Sequence, residues 1–196
     1  MEHSFFSFLF RMKYIDRWAL MRNTYAENLS THSFEVAALA HMLALIGNRR
    51  FGRNYDPDRA AVLGLYHDMP EILTGDLPTP VKYFSLQTAV AYASVESAAS
   101  EKLLRALPED FRDDFKAIFY QQAEDDALRQ LVKAADKLAA YLKCIEERRA
   151  GNTEFSKAEE STRAKLDALP LPEVRIFMEE FLPAFSMTLD QISNHE

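Results

Sequence analysis

The sequence is poor in glycine and cysteine and contains no long, uninterrupted apolar run. Only 5 of its 196 residues are glycine, which disfavours a loop-rich β architecture. The single cysteine, Cys144, has no partner for an internal disulfide, and this fits a reducing compartment. The longest apolar stretch, 36–47, is interrupted by His41 and falls short of the roughly 20 residues that a membrane span requires. We therefore expect a cytoplasmic protein without a membrane segment.

Positive charge is also scarce. Lysine and arginine number 23 against 30 acidic residues, so the net charge is −7. An acidic protein repels a nucleic-acid backbone, which argues against a polymeric partner. A small anionic substrate is still compatible, because a bound cation and one or two arginines can reverse the local field. The first residues lack a basic segment and a small-residue cleavage site, so we do not expect a signal peptide.

Apolar residues recur with helical spacing along almost the whole chain. The spacing predicts helices over 5–15, 33–46, 58 to at least 68, 87–107, 111–122, 125 or 126 to 149, 155–169 and 173–181. Ser30 or Thr31 is expected to cap the second helix and Asp56 the third, with Pro57 in its first turn. Glycine and proline predict a loop over 74–80. The expectation is an all-α single domain of six to nine helices.

Three separated segments contain residues suited to metal binding. His67 and Asp68 end an apolar run, and a buried carboxylate is costly unless a partner such as a metal ion compensates it. His32 lies in the first turn of its helix, and Asp136 lies among small and apolar neighbours. His41 is nine residues after His32 and points to the opposite side of that helix, so it is excluded as a co-ligand.

Each of these residues also has an ordinary structural interpretation. A lone buried histidine is usually a hydrogen-bonded core residue, and a lone helical aspartate usually caps a helix or faces solvent. The His-Asp pair is weak evidence by itself; the combination of His32, His67, Asp68 and Asp136 is stronger. Two imidazoles and two carboxylates suit Mn²⁺, Co²⁺, Ni²⁺, Fe²⁺ or Zn²⁺ better than Ca²⁺.

The order of these residues resembles the H…HD…D pattern of the HD superfamily of metal-dependent phosphohydrolases. Within it, the chain is most similar to the bacterial HD-domain 5′-deoxynucleotidases. The run Gly75-Asp76-Leu77-Pro78-Thr79-Pro80 beside the His-Asp pair is far more specific than that pair. The resemblance extends from about Phe6 to Ile192. Six segments carry it: 17–23, 27–33, 66–68, 71–84, 133–136 and 140–144.

The resemblance implies an HD-domain helical bundle, with residues 1–196 forming one domain with flanking helices at both ends. It also implies one divalent transition-metal ion, such as Co²⁺ or Mn²⁺, and a ligand set of His32, His67, Asp68 and Asp136. His32 and Asp136 would contact the substrate as well. Such an ion polarises a phosphoryl oxygen and acidifies water.

Further roles follow from the same resemblance. Arg17 would orient the phosphate and Trp18 would pack on the sugar. Glu71 would assist proton transfer. The residues that would hold the sugar and select against a 2′-hydroxyl are Asp76 and the backbone of Leu77, Pro78 and Thr79.

Each of these roles has a plainer alternative. Trp18 could be a core residue, Arg17 an ion-pair partner of Asp16 or Glu27, Asp76 a turn cap and Glu71 a solvated helix residue. The chain also departs from the family pattern at Met69-Pro70, where proline can break the helix and displace Glu71.

The function predicted from the sequence is hydrolysis of 2′-deoxyribonucleoside 5′-monophosphates to deoxynucleoside and phosphate. Two alternatives stay open: an HD hydrolase acting on another phosphorylated nucleotide, and a non-catalytic nucleotide-binding module. The resemblance also favours a homodimer, for which the apolar faces with Phe177, Phe181 and Phe185 are candidates; the alternative is that these residues belong to the core.

Overall fold

The computed structural model describes residues 3–82 and 84–193, and every regular element in this part of the chain is helical. The all-α prediction is therefore confirmed. The α-helices, in chain order, are α1 (Phe5–Leu9), α2 (Leu29–Phe51), α3 (Pro57–Tyr66), α4 (Glu71–Thr74), α5 (Thr79–Lys82), α6 (Leu86–Arg105), α7 (Arg112–Phe119), α8 (Asp126–Arg149), α9 (Ser156–Asp167), α10 (Pro172–Glu180) and α11 (Leu189–Ser193).

The start of α2 differs from the sequence prediction. Its cap is Asn28, whose side chain accepts a hydrogen bond from the Thr31 backbone N–H at 3.0 Å, so the assignment to Ser30 or Thr31 was wrong. The cap of α3 by Asp56, followed by Pro57, is confirmed by the hydrogen bond that Asp56 accepts from the Arg59 N–H.

Proline shapes the segment after α3. This helix ends at Tyr66, earlier than predicted, and Pro70 stands directly before the one-turn helix α4. The restart of the helix at Pro70 is the break that the sequence suggested at Met69-Pro70. The expected loop over 74–80 is found but is shorter, covering 75–78. Another one-turn helix, α5, follows it, and the Pro78 carbonyl accepts a hydrogen bond from the Lys82 N–H. Helix α5 was not predicted, because four residues contain too few positions for a 3.6-residue period to be recognised.

The main core lies where α2, α3 and α8 pack together. Leu43, Leu131 and Leu138 are fully buried there, and each such side chain contributes roughly 1.5–3 kcal/mol. Gly64 lets α3 approach α2 closely, because a Cβ at this position would lie 2.9 Å from the Ala37 Cα. This crossing brings the C-terminal end of α3 beside the first turns of α2.

A second, smaller core anchors the turn that follows α3. Met69 is fully buried against Phe5, Leu103, Leu104 and Leu107. The burial of Met69 fixes the backbone on both sides of it, between Asp68 and Pro70. In the turn between α3 and α4, the buried side chain of Met69 therefore positions the adjacent Asp68.

The structure decides between the two interpretations of Phe177. Phe177 was a candidate dimer contact but lies in the core, 4% exposed and stacked on Phe181. Of the three phenylalanines considered for an interface, Phe185 is the one classed as exposed, at 38%.

Helix α2 is long and apolar enough to cross a membrane if judged by length and composition. An 18-residue window within it has a mean hydropathy of 1.3, and half of that window is buried inside the fold. In this structure α2 is the central core helix, and α3 and α8 pack against it. A buried core helix passes the same test of length and hydropathy as a membrane span.

Candidate metal centre and substrate site

His67 lies in the turn directly after α3. Its Nδ1 is 2.7 Å from the Gly64 carbonyl oxygen, which only accepts hydrogen bonds, so Nδ1 carries the proton. The neutral ring therefore has its lone pair on Nε2. That atom is buried, lies 3.0 Å from Asp68 Oδ2 and has no well-aligned hydrogen-bond partner within the described chain.

His32, in the first turn of α2, is fully buried. Its Nε2 lies 3.2 Å from Asp136 Oδ1 and 3.5 Å from Asp68 Oδ2. Neither ring nitrogen makes a well-formed hydrogen bond among residues 3–82 and 84–193. Buried histidine nitrogens facing carboxylate oxygens in this way are suited to a cation.

The metal-ligating atoms of His32, His67 and Asp68 all lie within 4.8 Å of one another. This is a possible His-His-Asp metal site, and its donor set fits a divalent transition metal. Asp136 lies outside this mutual set but is adjacent to it through His32. Its side chain is 39% exposed, so it borders an opening rather than the closed core.

The charges of the cluster are strongly coupled. Burial alone would lower the pKa of His32, but Asp136 and Glu27 raise that pKa to about 9. Burial alone would raise the pKa of Asp68, but His67, His32 and Arg17 hold it far below its usual value. The carboxylate pKa of Asp136 is likewise lowered, against the effect of burial, by His32. The protein thus keeps two carboxylates ionised around a position that favours positive charge.

Arg17 and Trp18 lie beside the cluster and share one partner. The Arg17 Nε donates to Glu27 Oε1 at 3.0 Å, and its Nη1 donates to Asp68 Oδ2 at 3.4 Å. The Trp18 Nε1 donates to Glu27 Oε2 at 2.7 Å. Arg17 is therefore an ion-pair partner of Glu27, as one sequence alternative held, and it also reaches Asp68.

Trp18 has an unusual backbone for a bulky residue. Its φ is +59°, in the left-handed region that side chains with a Cβ rarely adopt. Its ring packs against the buried Phe155, with a centroid separation of 5.2 Å. A residue keeps such a strained backbone only where the surrounding contacts hold it in place, and strained residues of this kind cluster at functional sites.

Sequence reasoning overlooked the carboxylates that organise this loop. Glu27 was noted only as a possible partner of Arg17. Glu147 on α8 is fully buried and accepts hydrogen bonds from the backbone N–H groups of Thr24 and Tyr25, while Lys143 binds both Glu147 and the Tyr25 carbonyl. The i, i+4 spacing of Lys143 and Glu147 is visible in the sequence, but α8 carries several other charged residues, so nothing in the sequence marks this pair as buried.

Glu71 lies on the same cavity as the His-Asp pair, despite the break at Met69-Pro70. The cavity, about 310 Å³, is also lined by Ser97 and Tyr120. Burial, together with the charges of Asp68 and Asp76, raises the pKa of Glu71 to about 9. Glu71 is 7% exposed, so the solvated alternative is wrong, and a carboxyl with this pKa carries a proton at neutral pH.

The 76–79 segment is described in part. Asp76 is half-buried, and burial raises the pKa of its carboxyl although the charge of Arg17 opposes this. Pro78 has no N–H, and its carbonyl accepts from Val81 and Lys82. Leu77 is partly buried. The side chain of Thr79 lies outside the described part of the structure.

Comparison with known proteins decides the family. A family model described as 5′-deoxynucleotidase YfbR-like matches residues 4–185. The chain belongs to this YfbR-like family. Proteins named 5′-deoxynucleotidase YfbR from Shigella boydii and Escherichia coli are 50% identical to this family member over 192 residues, covering 98% of this chain and 96% of theirs.

Solved structures agree on the fold. An HD-domain phosphohydrolase from Listeria innocua has a TM-score of 0.80 at 20% identity, covering 93% of this chain and 88% of its own. The HD phosphohydrolase DatZ of cyanophage S-2L, solved with dA and one catalytic Zn²⁺ ion, has a TM-score of 0.59 at 20% identity, covering 93% and 96%. The HD-type helical fold predicted from the sequence is confirmed.

Proposed function

We propose that this chain is a metal-dependent phosphomonoesterase that hydrolyses 2′-deoxyribonucleoside 5′-monophosphates to a deoxynucleoside and phosphate. The observation that carries the proposal is the pair of buried Nε2 atoms of His32 and His67 beside Asp68, neither of which has a well-aligned hydrogen-bond partner among the residues that the structure describes, in a member of the YfbR-like family. The proposed ligand set is His32, His67, Asp68 and Asp136. A single divalent ion bound there supplies Lewis acidity toward the phosphoryl group and a more acidic water.

The side chains around this set support distinct roles. Arg17 binds Glu27 through Nε, which leaves its terminal nitrogens directed to Asp68 and to a phosphate bound there. We assign phosphate binding to Arg17, sugar packing to Trp18, and selection against a 2′-hydroxyl to Asp76 with the backbone of 77–79. The protonated Glu71 is suited to donate a proton to the departing 5′-oxygen.

The charge distribution favours a monophosphate over a triphosphate. Extra phosphates need extra free cations, and near the site Lys82 is already paired with Glu96 at 2.8 Å. Arg17 is held between Glu27 and Asp68. Hydrolysis of a different phosphorylated nucleotide is therefore the second candidate, and a non-catalytic module is the third.

A phosphate-release screen tests the proposal. Ribo- and deoxyribonucleoside mono-, di- and triphosphates are compared with Co²⁺, with Mn²⁺ and with EDTA, using wild type, His67→Ala and Arg17→Ala. His41→Ala is the matched control, because His41 is 41% exposed and pairs with Asp58 on the surface. We expect release from deoxynucleoside monophosphates only, abolished by EDTA and by both site variants but not by His41→Ala. Release from triphosphates alone contradicts the substrate assignment.

Three broader features complete the proposal. Residues 1–196 form a single HD domain with flanking helices, and the nucleotide is the partner rather than a polymer or a membrane. The protein is cytoplasmic, an assignment supported by the single free cysteine, Cys144. It forms a homodimer, which light scattering of the purified chain tests directly.

A further inference from the structure

One buried carboxylate contacts three residues of the proposed site. Glu27 is 8% exposed. Its Oε1 accepts from Arg17 Nε at 3.0 Å and lies 3.2 Å from His32 Nδ1, while its Oε2 accepts from Trp18 Nε1 at 2.7 Å. A phosphate-binding arginine, a sugar-packing tryptophan and a metal-ligating histidine would therefore be oriented by a single side chain.

We propose that Glu27 is the positioning residue that couples the metal centre to the substrate-binding side chains. The inference rests on the proposed function. A carboxylate beside Nδ1 of a metal-ligating histidine fixes the ring so that Nε2 carries the lone pair, and such partners tune metal affinity. Here the same carboxylate also holds Arg17 and Trp18, so the orientation of the metal ligand and that of the substrate contacts depend on each other.

The backbone brings Glu27 to this point. Residues 16 and 28 form an antiparallel bridge, the Arg17 N–H donates to the Glu27 carbonyl at 3.0 Å, and the Leu29 N–H donates to the Ile15 carbonyl. The two ends of the 16–28 loop are thus paired, and Glu27 faces Arg17 and Trp18 across it. Immediately afterwards the chain enters α2, whose first turn carries His32.

The negative charge is required as well as the shape. An ionised carboxylate accepts hydrogen bonds from Arg17 and Trp18 and at the same time attracts a proton on His32 Nδ1, 3.2 Å away. Glutamine has the same shape, but its NH₂ group only donates hydrogen bonds. It cannot replace a carboxylate oxygen that accepts a hydrogen bond from Arg17 or Trp18.

The test compares Glu27→Gln with Glu173→Gln, a matched control. Glu173 is 1% exposed, lies on α10 and faces Arg53 rather than the site. Three readouts are taken on the full chain: Co²⁺ affinity by calorimetry, the emission of Trp18, which is the chain's single tryptophan, and the KM and kcat for a deoxynucleoside monophosphate. The first two need no turnover.

We expect Glu27→Gln to bind Co²⁺ about 10–100-fold more weakly, as is typical when a partner of a metal ligand is changed. We expect its Trp18 emission to shift and its KM to rise, with Glu173→Gln unchanged in all three. A folded Glu27→Gln with wild-type Co²⁺ affinity and wild-type emission overturns the proposal. If Glu27→Gln shows the expected loss of Co²⁺ affinity and shift in emission, but wild type releases no phosphate from a deoxynucleoside monophosphate, the proposed function is refuted and the inference about Glu27 stands.

A measurement on wild type covers the case in which Glu27→Gln does not fold. In the Co²⁺-free chain loaded with diamagnetic Zn²⁺, ¹⁵N NMR of histidine reports which ring nitrogen of His32 carries the proton. The proposal requires a proton on Nδ1, facing Glu27. A proton on Nε2 overturns it, and so does a wild-type chain that binds neither ion.

Discussion

Arg17 is the residue on which the phosphate-binding account depends most. Its side chain is 12% exposed, and its guanidinium bridges Glu27 and Asp68, two carboxylates on different segments. Those two charges raise its pKa even though burial opposes this, so it is a permanent cation. A planar fork can serve both carboxylates and a phosphate at once, which a compact ammonium cannot.

Arg17→Lys tests this difference. The variant keeps the charge but loses the fork, so it cannot bind Glu27 and a phosphate oxygen together. We expect kcat/KM for a deoxynucleoside monophosphate to fall about 10–150-fold, the equivalent of one charged hydrogen bond of roughly 1.5–3 kcal/mol. Steady-state kinetics measure this, with Arg22→Lys as control because Arg22 is exposed. Equal kinetics for Arg17→Lys and wild type would show that charge alone is needed.

The sequence singled out some residues of the site and not others. His67-Asp68 stood out because two polar residues follow an apolar run, and the structure brings both near His32. Their roles as ligands stay predictions. Glu27 did not stand out, because nothing in its neighbourhood marks it as buried. Only the paired loop ends and the first turn of α2 bring Arg17, Trp18 and His32 to it. Contacts between distant segments leave no periodic signal.

At the scale of elements, the crossing of α2 and α3 sets the distance between His32 and His67. Gly64 permits this crossing, and its carbonyl accepts the hydrogen bond from His67 Nδ1. The ring centroids of the two histidines lie 5.3 Å apart as a result. Gly64 thus contributes both to the packing of the two helices and to the geometry of the site.

Gly64→Ala is expected to separate the two helices. The added Cβ would lie 2.9 Å from the Ala37 Cα, and backbone cannot move aside as a flexible side chain can. Overpacking of this kind costs about 1–3 kcal/mol. Urea unfolding should show that loss, and calorimetry should show weaker Co²⁺ binding. Val62→Ile, which adds one methyl group at an exposed position of α3, should change neither. Native stability and Co²⁺ affinity in Gly64→Ala would contradict this account of the crossing.

The loop that carries Arg17 and Trp18 depends on α8 through Glu147. Burial alone would raise the pKa of Glu147, but Lys143, Asn152 and the N–H groups of Thr24 and Tyr25 lower it strongly. A group with a lowered folded-state pKa stabilises the protein above its unfolded pKa of about 4.3. That stabilisation is lost progressively as the pH falls further.

Glu147→Gln should therefore destabilise the chain by about 3–5 kcal/mol at pH 7, because it leaves Lys143 buried without its counter-charge. The difference from wild type should shrink as the pH is lowered below about 4.3. Urea unfolding at a series of pH values measures both effects, with Glu159→Gln, at a surface ion pair, as control. If the difference in the free energy of unfolding did not change with pH, the loop would be held by hydrogen bonds that glutamine can also make, and not by the charge of Glu147.

At the scale of the whole molecule, the sequence predicted the architecture well and its boundaries less well. The long helices α2, α6 and α8 each span five or more turns, and their apolar period is unmistakable. Proline at position 70 indicated the break that precedes α4, but α5 and the earlier end of α3 were not predicted, because a four-residue helix has no recognisable period and the burial of Met69 depends on distant segments. An acidic molecule of net charge −7 can nevertheless bind an anion where Arg17 and a metal ion act together.

The most direct test of the central claim is a metal titration of the EDTA-treated chain, followed by phosphate release from a deoxynucleoside monophosphate. The account predicts no release before metal is added, and activity that rises with Co²⁺ or Mn²⁺ and saturates at one equivalent per chain. Full phosphate release from the EDTA-treated chain before any metal is added would contradict it.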